Sequence, residues 1–78
     1  MNSDEIRLVD IPPGTAVRFC GFDAALSALL QDQFLASGIA IGQTLTVQQQ
    51  RPMTIILCDH TELAIEHVVA GAMRVALV

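Results

Sequence analysis

An alternation of apolar and polar positions recurs in three short segments of the chain, and a period of two predicts β-strands. In the first segment, Val17 and Phe19 alternate with Arg18 and Cys20. Alternation predicts strands over residues 16–22, 45–49 and 73–77. A run rich in β-branched residues predicts a strand over 54–59, and a further strand is predicted over 63–67, after a tight turn. The chain is therefore expected to be mainly β.

One segment follows the helical period instead. Leu26, Leu29, Leu30 and Phe34 fall at positions i, i+3, i+4 and i+8, which is one face of an α-helix. Gly38 follows as a residue suited to the left-handed conformation that ends helices. The pattern predicts a helix over residues 23–37, inserted after the first strand, with its apolar face turned towards the strands.

The third and fourth predicted strands are separated by a tight turn, which predicts a hairpin. A two-residue loop at residues 60–61 would place Cys58 opposite Leu63 and Ile56 opposite Ile65. These four side chains would then share one buried face of the sheet.

Five short strands and one helix in 78 residues fit one small domain. A barrel of about five strands, with the helix plugging one open end, would leave no exposed strand edges. An open antiparallel sheet backed by the helix is the competing arrangement. Residues 1–7 are assigned to a flexible N-terminal tail, and residues 8–78 to the domain.

Composition excludes several classes of protein. The chain is 53% apolar with a net charge of −4, the reverse of a disordered chain. All its basic residues are arginines, only 4 in number, too few for a nucleic-acid-binding surface. No apolar run approaches the roughly 20 residues of a membrane span, and the polar, acidic start does not resemble a secretory signal. We therefore expect a cytoplasmic protein, without direct membrane insertion, whose two cysteines are thiols.

The segment 33–47, together with its flanks, resembles the ferrous iron transport protein A family, whose members carry FeoA-like domains. In that family a helix ends in Arg-Leu-x-x-Leu-Gly-Leu and is followed by x-Pro-Gly and a strand. The turn over residues 8–14 and the segment Leu-Ala-Ile-Glu at 63–66 match further parts of the pattern. The chain departs from it at Gln33 and Glu66, which stand where the family has basic residues, and also at Ser37 and Ile41.

The resemblance implies an SH3-like barrel and a cytoplasmic accessory role beside the membrane ferrous iron transporter. The implied partner is the cytoplasmic G-protein domain of that transporter. Related domains at the C-terminus of iron-dependent repressors act as interaction modules. A metal-responsive interaction module, similar to those repressor domains, is therefore the alternative function.

The sequence contains only weak candidates for a metal site or a catalytic site. Asp59, His60 and Glu62 are the tightest group of metal-ligand types, but the chain has no C-x-x-C or H-x-x-x-H spacing. Cys58 lies two residues from His60, yet the predicted hairpin buries this thiol, and a thiol in apolar surroundings is inert. We assign no catalytic, cofactor or metal residue and expect no enzyme activity.

Association with a partner is the function that the residues themselves favour. The apolar content is high for a domain of this size, so some apolar surface is expected to remain exposed, and contiguous exposed apolar patches mark interfaces. The predicted helix and the C-terminal strand over residues 75–78 are the candidate contact elements, either for a partner protein or for self-association.

Overall fold

The fold is seen in a computed structural model, which describes residues 5–23 and 28–78. Its elements are, in chain order, β1 (Glu5–Arg7), a 3₁₀ helix (Leu8–Asp10), β2 (Ala16–Phe22), α1 (Ala28–Ala36), β3 (Thr44–Gln49), β4 (Thr54–Cys58), β5 (Thr61–Ile65), α2 (His67–Ala70) and β6 (Met73–Leu77). The described residues are thus mainly β, as predicted, with α1 between two strands.

The strands form one antiparallel sheet in the order β1-β6-β2-β3-β4-β5. Six strands are present where about five were expected. The additional strand is Glu5–Arg7, which pairs with β6 and which the sequence analysis had placed in the tail. Three residues are too few to show an alternation, so this strand had no signal in the pattern. Residues 1–4 lie outside the described part.

The core comes from the alternating positions that the sequence indicated. Val17 and Phe19 of β2 are buried while Ala16 and Arg18 beside them are exposed. The largest fully buried side chains include Phe19, Leu8, Ile39, Leu45, Ile56, Ile65 and Met73. Alternation therefore predicted the buried positions of β2 and β3 correctly. On β6 it fails at the end of the strand, where Leu77 is 60% exposed and Ala76 is buried.

The β4–β5 hairpin corrects the predicted register. Its two-residue loop lies at residues 59–60, one position earlier than expected, so Cys58 pairs with Thr61 and Ile56 with Leu63. Asp59 enters the loop at φ 56, a conformation that aspartate tolerates better than most residues. The register differs from the prediction by two residues, so the same side chains still face the core.

The fourth predicted strand also ends earlier than expected. Residues 63–67 were predicted to be extended, but β5 stops at Ile65, and His67–Ala70 forms helix α2. The turn buries Val69 and Ala70 and leaves Val68 exposed. A single helical turn is too short to show a helical period, which explains why the sequence did not reveal it.

Candidate functional site

Much of the apolar surface of helix α1 is exposed to solvent. None of its described residues is fully buried. Phe34 packs against the core, with its ring 5.6 Å from that of Phe22, and Leu30 is half-buried. Leu29, however, is 69% exposed and Leu35 is 52% exposed. The prediction that Leu29 faces the sheet is therefore wrong, and the prediction for Leu26 lies outside the described residues.

The end of α1 is fixed by local backbone chemistry. Gly38 adopts φ 97, as its position after the helix predicted. The amide of Gly38 donates to the carbonyl of Leu35 at 3.1 Å, and the amide of Ile39 donates to the carbonyl of Phe34 at 3.2 Å. Ile39 is then fully buried, so the exposed helix is anchored to the core immediately beyond its C-terminus.

A groove of about 350 Å³ lies between α1 on one side and β5 with the following helix α2 on the other. Apolar side chains that line it are Leu30, Phe34, Met53, Leu63, Ile65 and Val69. Gln33, Ser37 and Glu66 supply polar groups. Gln33 and Glu66 are two of the positions where the chain departs from the basic residues of the family pattern, so both departures fall on this groove.

Gln50 links segments that are distant in sequence. Its side-chain amide donates to the carbonyls of Leu8 at 3.0 Å and Ile11 at 2.6 Å. The hydroxyl of Thr54, which is fully buried, donates to the Gln50 side-chain oxygen at 2.6 Å. His67 Nε2 donates to the Gln50 backbone carbonyl, which ties the start of α2 to the same residue. The sequence analysis missed this role of Gln50, because its partners are remote in sequence.

Charge is distributed unevenly over the sheet. Arg74 pairs with Glu5 at 3.0 Å and with Asp23 at 3.6 Å, and Arg7 lies 3.7 Å from Asp23. These ion pairs lie at the β1–β6 side of the molecule. On the β5 side, Glu62 and Glu66 are exposed, and neither forms an ion pair with any residue in the described part of the chain.

The candidate metal ligands are not gathered into a site. Asp59, His60 and Glu62 are all exposed around the hairpin loop. Within residues 5–23 and 28–78, no group of three or more histidine, cysteine, aspartate or glutamate side chains could hold a metal ion. His67, which was predicted to end a strand, lies at the start of α2, where its side chain hydrogen-bonds to the Gln50 backbone carbonyl.

Cys58 is a buried free thiol, and Cys20 is free as well, as expected. The Cys58 Sγ atom donates to the Gln43 side-chain oxygen at 3.6 Å. Burial, and to a lesser extent the neighbouring Asp59 carboxylate, raises the pKa of the Cys58 thiol. A thiol with a raised pKa is a poor nucleophile at neutral pH. His60 lies in the exposed loop. Cys58 is thus a core residue and His60 a surface residue, and the two do not resemble a catalytic dyad.

The C-terminal strand is not available as an edge. β6 lies between β1 and β2 and pairs with both. The prediction that residues 75–78 offer an edge for contact is therefore wrong, because the unexpected strand β1 covers that side. The edges of the described sheet are β1 and β5.

None of the described helices is long and apolar enough to span a bilayer.

Comparison with known proteins gives the family and the fold. A model of the FeoA domain family matches residues 6–77. No curated protein matches the chain. Among solved structures, IdeR from T. acidophilum superposes with a TM-score of 0.88 at 14% identity over 100% of this chain, which spans 36% of that protein.

Two solved FeoA proteins are similar over most of their own length. A protein described as an iron uptake regulatory protein (FeoA) has a TM-score of 0.81 at 21% identity, covering 95% of this chain and 99% of that one. FeoA from Chlorobium tepidum has a TM-score of 0.84 at 16% identity, covering 94% and 70%. These structures confirm the predicted SH3-like fold. The family match extends over nearly the whole sequence, so the chain belongs to the FeoA domain family, which is associated with ferrous iron transport.

Proposed function

We propose that the chain is a small cytoplasmic adaptor of ferrous iron transport. In this proposal it binds the cytoplasmic G-protein domain of the membrane iron transporter and modulates that domain without catalysing a reaction. Membership of the FeoA domain family supports the link to iron transport. The partner and the mode of action are our inference from the surface described above.

The observation that carries the proposal is the exposed apolar surface of α1. Leu29 and Leu35 remain largely in contact with solvent although the helix is short and closely anchored at Gly38 and Ile39. The groove between α1 and β5 adds further apolar side chains beside them. Exposed apolar side chains beside an apolar groove are typical of a protein interface, because covering them with a partner removes them from water.

Binding alone is sufficient for regulation of a G-protein domain. A ligand that binds one nucleotide state more tightly than another shifts the domain towards that state by the difference in binding free energy. The chain needs no reactive group for this effect. The buried, poorly nucleophilic Cys58 and the solvent-exposed His60 agree with a role in binding.

Isothermal titration of the chain into the purified G-protein domain tests the proposal. Titrations with GDP, with a non-hydrolysable GTP analogue and without nucleotide should give saturable heat and different affinities among these states. Parallel titrations with Fe²⁺ should give the same order of affinities. Absence of binding in every nucleotide state would contradict the proposal, as would binding that requires Fe²⁺.

A matched pair of variants locates the contact. Leu29→Ser removes an exposed apolar side chain of α1, and Leu77→Ser removes one of similar exposure, 60%, from β6. Leu29→Ser should weaken binding at least tenfold, whereas Leu77→Ser should leave it unchanged. Equal losses in both variants would show that the contact is not specific to α1.

A further inference from the structure

Strand β5 presents a free backbone edge to the groove. Within the described sheet it pairs with β4 on one side and with no strand on the other. Four consecutive residues, 63–66, line the groove. Successive side chains of a strand point to opposite faces, so a run of consecutive lining residues means that the backbone edge itself borders the groove.

The hairpin register identifies the backbone groups on this edge. Cys58 and Thr61 flank the two-residue loop, and the residues that close such a loop exchange hydrogen bonds with each other. In an antiparallel pair, hydrogen-bonded and non-hydrogen-bonded positions alternate. Glu62 and Ala64 are therefore non-hydrogen-bonded positions, whose N–H and C=O groups point away from β4.

We propose that this edge binds an extended peptide segment of a partner protein as an added strand, and that the segment alternates apolar with basic side chains. The proposal rests on the adaptor function above, since it describes how that partner would be held. Main-chain hydrogen bonds to Glu62 and Ala64 would provide the pairing, which is the usual mode of recognition by strand addition.

The two faces of β5 determine which side chains the bound peptide segment should carry. Leu63 and Ile65 point inwards and line the groove, so the neighbouring side chains of an added strand should be apolar. Glu62 and Ala64 are exposed on the other face, and Glu66 follows just beyond the strand. Opposite charges on directly adjacent strand positions stabilise pairing, so the outer side chains of the segment should be basic.

The charge of the surrounding surface favours the same ligand. Glu62 and Glu66 have no ion-pair partner among residues 5–23 and 28–78. Three of the four arginines lie on strands away from this edge: Arg7, Arg18 and Arg74. The fourth, Arg51, lies in the connection between β3 and β4. An acidic segment would therefore meet uncompensated negative charge, whereas a basic one would neutralise it.

The size of the groove sets a limit on the ligand. Its volume of about 350 Å³ is near the lower end of the ~300–1,000 Å³ range of ligand pockets. It suits a few side chains of one extended segment and is too small for a folded element. This agrees with a strand whose apolar side chains enter while its backbone stays at the rim.

A synthetic peptide tests the edge directly. The probe is acetyl-Arg-Ile-Lys-Val-Arg-Ile-Lys-amide with a fluorescent label, and anisotropy measures its binding to the intact chain. Saturable binding is expected, and a peptide with glutamate at the four basic positions should bind at least tenfold more weakly. Equal affinity for the two peptides would overturn the proposed charge preference.

Backbone methylation of the peptide separates strand addition from simple apolar contact. Only one alternate set of amides in an added strand faces β5. N-methylation of that set should abolish binding, whereas N-methylation of the other set should be tolerated. If both methylated peptides bind as well as the parent, or both fail equally, the peptide is not held as a strand and the proposal is wrong.

Variants of the chain make the complementary test. Ala64→Pro removes the outward N–H while leaving the ladder with β4 intact, because proline is tolerated at such edge positions. Ala64→Val changes the same side chain and retains the N–H. The proline variant should lose at least tenfold in peptide affinity and the valine variant should not. Thermal unfolding checks that both variants are folded. If the proline variant does not fold, the methylated peptides alone test strand addition.

The two proposals can fail separately. If the G-protein domain binds Ala64→Pro as tightly as the unmodified chain, strand addition at β5 is overturned and the adaptor function stands. If the alternating peptide binds but the G-protein domain does not, the β5 site stands and the adaptor function is overturned.

Discussion

The central sheet and helix α1 use apolar residues in opposite ways. Phe19, Leu45 and Ile56 on the central strands are 1% exposed or less. Leu29 and Leu35 on α1 are equally apolar in sequence but more than half exposed. Since burial of apolar side chains is what stabilises a small domain, the first group contributes to folding and the second is left available for association.

The difference shows what an apolar period can and cannot reveal. In a strand, alternation identifies a face, and the neighbouring strands of the sheet cover that face. In α1, the period identifies an apolar stripe but not what covers it. Leu29 of that stripe is uncovered in the fold, and the proposed function assigns it to the surface that a partner covers.

The largest effect is expected at the centre of the sheet. Phe19→Ala should cost about 3–5 kcal/mol of unfolding free energy through lost burial and the cavity that remains. That is a large part of the stability of a domain of this size. Urea denaturation followed by circular dichroism measures it. A loss as small as that of an exposed residue would contradict the assignment of Phe19 to the core.

A smaller effect is expected at the hydrogen bonds of Gln50. Gln50→Ala removes the side-chain partner of the Ile11 carbonyl and of the buried Thr54 hydroxyl, and one of the two partners of the Leu8 carbonyl. Leaving such groups unsatisfied should cost about 1–3 kcal/mol. Gln48→Ala, two residues earlier on β3 and exposed, is the control and should be nearly neutral. Urea titration of both variants makes the comparison, and equal losses would mean that Gln50 has no special role.

The buried thiol predicts a pH dependence. Burial raises the pKa of Cys58 in the folded chain above its value in the unfolded chain. The folded state therefore retains this proton more tightly, and stability declines as the pH rises from the unfolded thiol pKa to the folded one. Urea midpoints from neutral to alkaline pH should fall more steeply for the unmodified chain than for Cys58→Ala. Parallel curves for the two proteins would contradict this origin.

The smallest effect on folding is expected on the exposed helix. Leu29→Ser should change the unfolding free energy by no more than about 0.5 kcal/mol, as is usual for surface positions. The same substitution should markedly weaken partner binding, which Phe19 variants do not test cleanly because they destabilise the whole fold. A destabilisation of several kcal/mol, measured by urea titration, would show that Leu29 packs in the core and would remove the contrast between the two regions.

Much of the sheet could be predicted from the sequence, because alternation on β2 and β3 reports burial directly. β1 could not, since three residues carry no period and the strand exists only through pairing with β6. The hairpin faces were correct although the loop was misplaced by one residue, because a shift of two in register preserves the faces.

The candidate site was less accessible to sequence reasoning. Its walls come from α1 and from β5 with α2, which are about thirty residues apart in the chain and meet only in the fold. Gln33 and Glu66 were identified as departures from the family pattern, but their shared location on one groove became visible only in the structure. Asp59, His60 and Glu62 were the tightest group of metal-ligand types in the sequence, but nearness in sequence around a loop does not make side chains converge, and the described residues contain no group that could hold a metal ion.

The most direct test of the account is nuclear magnetic resonance of the isotopically labelled chain during titration with the transporter's G-protein domain. The account predicts that amide shifts concentrate in residues 28–38 and 61–69, which carry α1, β5 and α2. Residues 5–7, 16–22 and 73–77, on β1, β2 and β6, should change little. Shifts concentrated on those three strands, or no shifts at saturating partner, would contradict the claim that the α1–β5 surface is the binding surface.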